Sequence, residues 1–186
     1  MSANLEVEMK FPAPDHAALE QALQQRGARP GKVLHEADQY FNAPDRDFAQ
    51  TDEALRIRRI GAANFVTYKG PKTDQQTKTR TEIEVPLASG DDTAVDFERL
   101  LTHLGYRAVR VVRKQRRTYH IDSGGFTVEV CLDDVADVGR FVELEIVAPA
   151  DQFEPAKAAL LALAADLGLK NSERRSYLQL LIEKQG

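Results

Sequence analysis

Charged and apolar residues alternate one by one across residues 5–11, near the amino terminus. Because successive side chains of a β-strand point to opposite faces, Glu6, Glu8 and Lys10 would share one face and the apolar residues the other. The same alternation returns in four later segments, whose charged-face residues are Arg56 and Arg58; Arg80, Glu82 and Glu84; Glu129, Cys131 and Asp133; and Glu143 and Glu145. The pattern predicts a sheet with one apolar face and one charged face.

The remaining signals predict an order of strand, helix, several strands, helix, strands and helices. Strands are predicted at about 5–11, 32–42, 55–58, 64–69, 80–85, 108–121, 125–133 and 141–147. Helices are predicted from an N-cap at Asp15 to Gly27, at about 92–104 and 153–167, and from Ser172 onward. Hairpin-length connections favour an antiparallel sheet in an α+β fold. No Pro/Gly-rich linker interrupts the chain, so we expect a single domain over residues 1–186.

Composition narrows the class of protein. The chain has 186 residues, 42% of them hydrophobic, and a formal net charge of −4, which disfavours a general nucleic-acid binder. The lone Cys131 cannot form an internal disulfide, which fits a reducing compartment. Charged residues occupy the place where a signal peptide needs an apolar core, and the longest apolar run, 158–165, is too short to cross a bilayer. We therefore expect a cytoplasmic protein that binds neither membrane nor nucleic acid.

Two arrangements of the amphipathic strands fit the sequence. In one, the apolar face packs inward on the helices and the charged face lies in water. In the other, the sheet closes into a barrel whose charges line a tunnel. This tunnel must contain water, because burying unpaired charges costs several kcal/mol per ion. Carboxylates in such a tunnel suit Mg²⁺ or Mn²⁺, and Arg and Lys suit phosphate oxygens. The mixture of signs favours a metal-bound polyphosphate as ligand.

The motifs resemble those of the CYTH domain family, the triphosphate tunnel metalloenzymes, which includes class IV adenylyl cyclases, thiamine triphosphatases and inorganic triphosphatases. The first-strand signature Glu-x-Glu-x-Lys is present as Glu6-Val7-Glu8-Met9-Lys10. Further matches follow in family order: Tyr40-Phe41, Leu55-Arg56-Ile57-Arg58, Tyr68-Lys69-Gly70-Pro71, Arg80-x-Glu82-x-Glu84, Lys114-x-Arg116, Asp133 and Gly139-x-Phe141-x-Glu143-x-Glu145. The resemblance implies a closed tunnel of eight antiparallel strands with helices outside.

The resemblance also implies roles for these residues. The expected ligands of divalent metal, Mg²⁺ or Mn²⁺, are Glu6, Glu8, Asp133, Glu143, Glu145, Glu82 and Glu84. The expected triphosphate ligands are Lys10, Arg56, Arg58, Lys69, Arg80, Lys114 and Arg116. Lys10 is the candidate catalytic base. Alternation alone does not decide whether Lys114 and Arg116 point inward, because Arg113 and Arg117 occupy the other face of the same strand.

Within the family, a class IV adenylyl cyclase is the first interpretation, and a triphosphatase and a binding module are the two alternatives. The segments from Leu104-Gly105-Tyr106 to Phe141-Val142-Glu143 and at Arg175–Leu181 resemble class IV adenylyl cyclases, which convert ATP to cyclic AMP and pyrophosphate. The complete Arg80-x-Glu82-x-Glu84 strand, Arg58 and Glu145 resemble triphosphatases instead. A non-catalytic polyphosphate-binding or nucleotide-binding module is the third interpretation. In each case the partner is a small-molecule triphosphate, and the resemblance makes a homodimer conceivable.

Overall fold

The computed structural model describes residues 4–185 and contains one eight-stranded antiparallel sheet with helices packed against it. The strands are β1 (Asn4–Pro12), β2 (Arg29–Asn42), β3 (Ala54–Ile60), β4 (Ala63–Lys69), β5 (Glu82–Leu87), β6 (Arg107–Ser123), β7 (Phe126–Val135) and β8 (Gly139–Pro149). The α-helices are α1 (His16–Gln25), α2 (Phe48–Thr51), α3 (Asp91–His103), α4 (Phe153–Asp166) and α5 (Tyr177–Gln185), and a 3₁₀ turn over Ala150–Gln152 precedes α4. The predicted α+β class with an antiparallel sheet is confirmed.

The sheet is curled, but its hydrogen-bonded ladders do not run all the way round. The strand order is β1-β8-β7-β6-β2-β3-β4-β5, so β1 and β5 are its two end strands. A single bridge pair, Glu6 with Arg80, joins β1 to the segment that leads into β5. The closed barrel expected from the sequence is therefore not confirmed, and the described sheet is an open, curled one.

The apolar face of the sheet lies outside, against the helices, as the tunnel arrangement requires. Val7, Met9 and Phe11 of β1 are almost fully buried in the largest core cluster, which they share with residues of α1, α4, β7 and β8. A second part of the same convex face packs on α3 through Ile57 and Leu101. The hydrophobic effect therefore fixes the register of each strand, and this register turns the alternate, charged side chains to the concave face.

The last helix occupies a different position, at one end of the concave face. Tyr177, Leu180 and Leu181 of α5 pack on Tyr40 and Phe141, which project from the sheet. The segment before this helix runs past β1, where the Glu173 backbone N–H donates to the Lys10 carbonyl at 2.7 Å. Helix α5 thus closes one end of the space that the sheet surrounds.

Several boundaries differ from the sequence predictions. The last helix begins at Tyr177 rather than at Ser172, because the Glu173 backbone bonds to β1 instead of starting a helical turn. Strand β5 spans Glu82–Leu87 and passes through Pro86, which an end strand tolerates because its missing N–H need not face a neighbour. The Asp15 N-cap of α1 is confirmed, since its carboxylate accepts from the Ala18 N–H at 3.0 Å. None of the helices within residues 4–185 has the length and apolar character needed to cross a membrane.

Candidate functional site

The concave face of the sheet surrounds a cavity of about 310 Å³ that is lined mainly by charged side chains. Twelve residues predicted from the sequence line it: Glu6, Glu8, Arg56, Arg58, Lys69, Arg80, Glu82, Glu84, Lys114, Arg116, Glu143 and Glu145. They come from β1, β3, β4, β5, β6 and β8 and from the approach to β5. The structure settles the orientation of β6, because Lys114 and Arg116 line the cavity while Arg113 is exposed on the outer face.

Three carboxylates converge at one side of this cavity. Oxygens of Glu8, Glu143 and Glu145 lie within 4.8 Å of one another. Glu8 and Glu145 are direct partners across the β1–β8 ladder, and Glu143 is two residues further along β8 on the same face. We call these three residues the carboxylate cluster.

Their electrostatic environments differ. Burial raises the pKa of Glu145 well above its usual range; Arg116 opposes the shift, and the neighbouring Glu6, Glu143 and Glu8 reinforce it. Burial acts on Glu143 in the same direction, but Lys78, Arg116 and further Lys residues outweigh it and hold its pKa well below the usual range. Cations therefore stabilise the negative charge of Glu143, whereas burial and the neighbouring acids disfavour a charge on Glu145.

A divalent metal ion fits this carboxylate cluster. Carboxylate oxygens are hard donors of the kind that Mg²⁺ and Mn²⁺ prefer, and the three come from two neighbouring strands of a rigid sheet. A positive ion would also stabilise the ionised form of the buried Glu145, whose carboxylate lies 3.5 Å from the Arg116 guanidinium. Glu8, Glu143 and Glu145 are the residues best placed to hold the ion.

Lys78 contributes a cation to the same cluster, and the sequence analysis did not identify it. It lies between β4 and β5, where no alternation marks a strand, and its side chain is only 7% exposed. Its ammonium donates to Glu8 and, at 3.4 Å, to Glu143. These carboxylates raise the pKa of Lys78 against the lowering effect of burial, so the side chain is a firmly charged cation.

We expect Lys78→Gln to bind Mn²⁺ more tightly than the unaltered protein when substrate is absent. The Lys78 ammonium competes with the metal for the carboxylates of Glu8 and Glu143. When it is removed, the ion alone neutralises these two carboxylates. A unit charge at this distance is worth a few kcal/mol at an effective dielectric constant of about 20, so a gain of at least tenfold in affinity is expected. Calorimetric titration with Mn²⁺ measures it, with the exposed Lys32→Gln as control. Equal affinities in the two variants would contradict this role of Lys78.

The basic side of the cavity is organised by two buried acids of β2 that the sequence analysis also missed. Asp38 accepts two hydrogen bonds from Arg58, both at 2.8 Å, and one from Arg56 at 3.1 Å. Glu36 contacts Lys114 at 2.8 Å and Arg58 at 2.9 Å. Burial opposes ionisation of Asp38, but Arg56 and Arg58 hold its pKa far below the usual range. The two acids fix three cations along one wall.

The signal for these acids was present in the sequence. Glu36, Asp38 and Tyr40 alternate within the predicted strand 32–42 and share the parity of the cavity-lining side. Ser176, Tyr177 and Glu129 also line the cavity. Ser176 directly precedes α5 and Tyr177 is its first residue, and only long-range packing brings these two residues to the cavity.

Two predicted site residues do not line the cavity. The Lys10 ammonium donates to the Arg175 carbonyl at 2.5 Å and lies 4.1 Å from the centre of the Tyr177 ring, so Tyr177 and the segment before α5 lie around it. Burial and the charge of Lys78 lower the pKa of Lys10 to about 7, although Glu143 and Glu8 oppose the shift. Its proposed roles in phosphate binding and as a base stay predictions.

Asp133 is the second predicted site residue that does not line the cavity. It is fully buried, and its carboxylate accepts two bonds from Arg116, both at 2.7 Å, and one from the Tyr177 hydroxyl at 2.8 Å. In this arrangement Asp133 orients Arg116, which itself reaches Glu143 and Glu145. Its role as a metal ligand stays a prediction.

A smaller pocket of about 140 Å³ adjoins the charged cavity at the end near α5 and α2. The two share Tyr40, Ala54, Arg80 and Ser176 in their linings. The rest of the smaller pocket includes Phe41, Phe48, Val109, Leu178 and Ile182. An apolar space therefore opens beside the charged one.

Fold and site together define a curled-sheet protein whose concave face combines a carboxylate cluster with a wall of Arg and Lys. The family model for the CYTH domain matches residues 4–177, and the chain belongs to this family. A relative from Methanocaldococcus jannaschii, named "putative adenylate cyclase", is 36% identical over 179 residues, covering 95% of this chain and 98% of the relative.

Solved structures show the same fold. A protein from Pyrococcus horikoshii OT3 superimposes with a TM-score of 0.84 at 38% identity, covering 96% of this chain and 99% of that one. A protein from Hippeastrum, described as a "putative adenylyl cyclase" with a dominant triphosphatase activity, gives a TM-score of 0.67 at 17% identity, covering 97% of this chain and 96% of that one. The second similarity concerns the fold alone.

Proposed function

We propose that this chain is a divalent-metal-dependent enzyme acting on a triphosphate bound in the concave cavity, and that its reaction is the conversion of ATP to cyclic AMP and pyrophosphate. The observation that carries the proposal is the meeting of the carboxylate cluster with the Arg and Lys wall in one cavity. Carboxylates alone would suit a metal, and basic groups alone would suit an anion. Together they suit a polyphosphate that arrives with its metal ion.

In this proposal the basic groups hold the phosphates and the carboxylates hold Mg²⁺ or Mn²⁺. Arg56 and Arg58, fixed by Asp38, retain guanidinium N–H groups that Asp38 does not use, and these can donate charge-assisted hydrogen bonds to phosphate oxygens. Lys69, Arg80, Lys114 and Arg116 add charge around the same space. When bound, the metal ion would neutralise phosphate charge and lower the pKa of a coordinated oxygen.

Cyclisation needs the chain to fix both ends of its substrate. The ribose 3′-oxygen attacks the α-phosphorus, a new O–P bond forms, the bond to pyrophosphate breaks, and the hydroxyl proton is lost. The cations of the cavity stabilise the charge that develops on the leaving pyrophosphate, and catalysis is then mainly positioning and electrostatics. The apolar pocket beside Tyr40 and Ser176 supports a substrate with an organic group rather than inorganic triphosphate, because it offers room for a base next to the phosphate site.

A triphosphatase is the second candidate, and a specific observation favours it. Glu82 and Glu84 of β5 line the cavity together with Arg80, which precedes this strand. All three residues of the Arg80-x-Glu82-x-Glu84 motif, which resembles that of triphosphatases, therefore face the cavity. Hydrolysis requires the same binding of phosphate and metal, but water attacks the terminal phosphorus. The two reactions therefore differ in which phosphorus meets the attacking oxygen.

A product assay separates the candidates. The protein is incubated with ATP, tripolyphosphate or thiamine triphosphate in the presence of Mg²⁺ or Mn²⁺, and the products are resolved by chromatography. We expect cyclic AMP and pyrophosphate from ATP. Orthophosphate without cyclic AMP would replace the cyclase proposal with the triphosphatase one. Tight binding of tripolyphosphate without any turnover would contradict both and identify a binding module.

Arg56→Gln is expected to weaken binding of tripolyphosphate by about tenfold or more. The substitution removes one guanidinium from the cavity wall, and charge-assisted hydrogen bonds are worth about 1.5–3 kcal/mol each. Calorimetry with tripolyphosphate measures the change without requiring turnover. Arg29→Gln, which removes an exposed partner of Asp122, is the matched control. Unchanged affinity in Arg56→Gln would show that this arginine does not bind phosphate.

A further inference from the structure

A second group of potential metal ligands lies beside the carboxylate cluster, and it contains the only cysteine of the chain. One ligand atom each of Glu129, Cys131 and Glu145 lies within 4.8 Å of the other two. We call these residues the thiol cluster. The two clusters share Glu145 but differ in chemistry, because the thiol cluster offers sulfur where the carboxylate cluster offers only oxygen.

Strand geometry holds the thiol cluster together. Glu129 of β7 and Glu145 of β8 are direct partners across their ladder, and Cys131 is two residues beyond Glu129 on the same face. Like charges directly opposite each other in a sheet are destabilising. Arg116 reaches Glu145 at 3.5 Å, and among residues 4–185 no basic side chain forms an ion pair with Glu129. The opposed carboxylates are therefore short of positive charge.

The thiol itself is the second, independent observation. Cys131 is 0% exposed, and its Sγ makes no hydrogen bond to any residue in the described part of the chain. A small apolar residue could fill this position, yet the sulfur lies within 4.8 Å of carboxylate oxygens of both Glu129 and Glu145. Glu129 and Glu145 line the charged cavity, so an ion in that cavity can reach the group.

We propose that Glu129, Cys131 and Glu145 form a binding site for a thiophilic divalent cation of the Zn²⁺ class. Zn²⁺ accepts thiolate and carboxylate ligands in a four-coordinate site, and three protein ligands leave one position for water. Mg²⁺ does not favour sulfur and demands an octahedral oxygen shell, so the thiol cluster discriminates against it. On binding, a metal–sulfur bond forms and the thiol proton passes to water.

The shared Glu145 links this site to the proposed reaction. Glu145 is a potential ligand in both clusters, and two divalent ions this close repel each other. Zn²⁺ in the thiol cluster therefore weakens binding of Mg²⁺ to the carboxylate cluster and inhibits turnover. This consequence for turnover rests on the proposed function; the binding of Zn²⁺ does not.

A spectroscopic titration tests the site directly. Co²⁺ replaces Zn²⁺ as the probe, because a cobalt–thiolate bond gives an ultraviolet charge-transfer band that oxygen ligands do not give. The metal-free protein is expected to develop this band with one equivalent of Co²⁺ and to lose it when Zn²⁺ is added. Cys131→Ser is expected to show no band and to bind Zn²⁺ at least about tenfold more weakly.

Controls separate the site from a loss of folding or of activity. Cys131→Ala provides a second variant if the serine hydroxyl is not tolerated, and far-ultraviolet circular dichroism checks the fold of each. Glu154→Gln, an exposed acid at the start of α4, should keep both the band and the affinity. Absence of a thiolate band in the unaltered protein, or a Zn²⁺ affinity of both cysteine variants equal to that of the unaltered protein, would overturn the proposal. Because this titration needs no substrate, its result is independent of whether the chain is a cyclase or a triphosphatase.

Discussion

Glu8→Gln is expected to reduce turnover by about 10²–10³-fold or more while the protein stays folded. Glutamine has nearly the same shape, but it removes the negative charge that Glu8 brings to the carboxylate cluster. Two acids, Glu143 and Glu145, would remain to bind the metal, with Glu143 still contacted by Lys78 and Arg116. Turnover is measured with the triphosphate that proves to be the substrate, at saturating and limiting Mg²⁺.

The matched control is Glu154→Gln, which makes the same chemical change at an exposed position. We expect its activity to equal that of the unaltered protein. Activity of Glu8→Gln within a few-fold of this control would contradict the assignment of the metal to the carboxylate cluster. A partial recovery at high Mg²⁺ would instead support it, because a weakened site can still be filled by mass action.

Arg116→Met is expected to produce the largest loss of stability, about 3–5 kcal/mol in the free energy of unfolding. Arg116 is buried and contacts three acids, Asp133, Glu143 and Glu145. Methionine fills much of the volume but removes the cation that pairs with Asp133 and Glu145, and leaves Glu143 with Lys78. Urea denaturation of the metal-free protein measures the change.

Arg117→Met is the control on the neighbouring residue. Its guanidinium lies on the outer face, where it pairs with Glu20 at 2.7 Å and is about one-third exposed. A pair of this kind is typically worth less than about 1 kcal/mol. We also expect Mg²⁺ to restore part of the stability of Arg116→Met, because an ion bound only by the folded state stabilises it. Similar losses in both variants would show that the acids around Arg116 do not depend on its charge.

Alternation along the strands predicted correctly which side chains share a face, whereas the resemblance to the CYTH family predicted that the charged face is the inner one. Each of β1, β3 and β8 buries its apolar residues against the helices and turns its charged residues to the cavity. The reason is physical: in a strand the period is two, so burial of one face on the helices fixes the direction of the other. Twelve of the fourteen predicted site residues consequently line one space.

Long-range contacts explain what the sequence pattern did not reveal. Lys10 has the correct parity, but its ammonium donates to the Arg175 carbonyl and lies against the Tyr177 ring, and neither contact could be predicted from the alternation. Lys78 reaches Glu8 and Glu143 from a stretch without regular structure, where periodicity gives no signal. Whether the sheet closes depends on how β1 meets β5, and these strands are far apart in the sequence. The segment before β5 contacts β1 through the Glu6–Arg80 bridge and through the Lys78 N–H, which donates to the Glu8 carbonyl at 2.8 Å.

Crystallography of the protein with Mn²⁺ and a non-hydrolysable ATP analogue tests the central claim most directly, because anomalous scattering locates the metal independently of the assigned side chains. We predict an anomalous peak inside the cavity at about 2 Å from oxygens of Glu8, Glu143 and Glu145. The triphosphate should lie between this peak and Arg56 and Arg58. Manganese bound only to acids on the outer surface, with the nucleotide outside the concave cavity, would contradict the account.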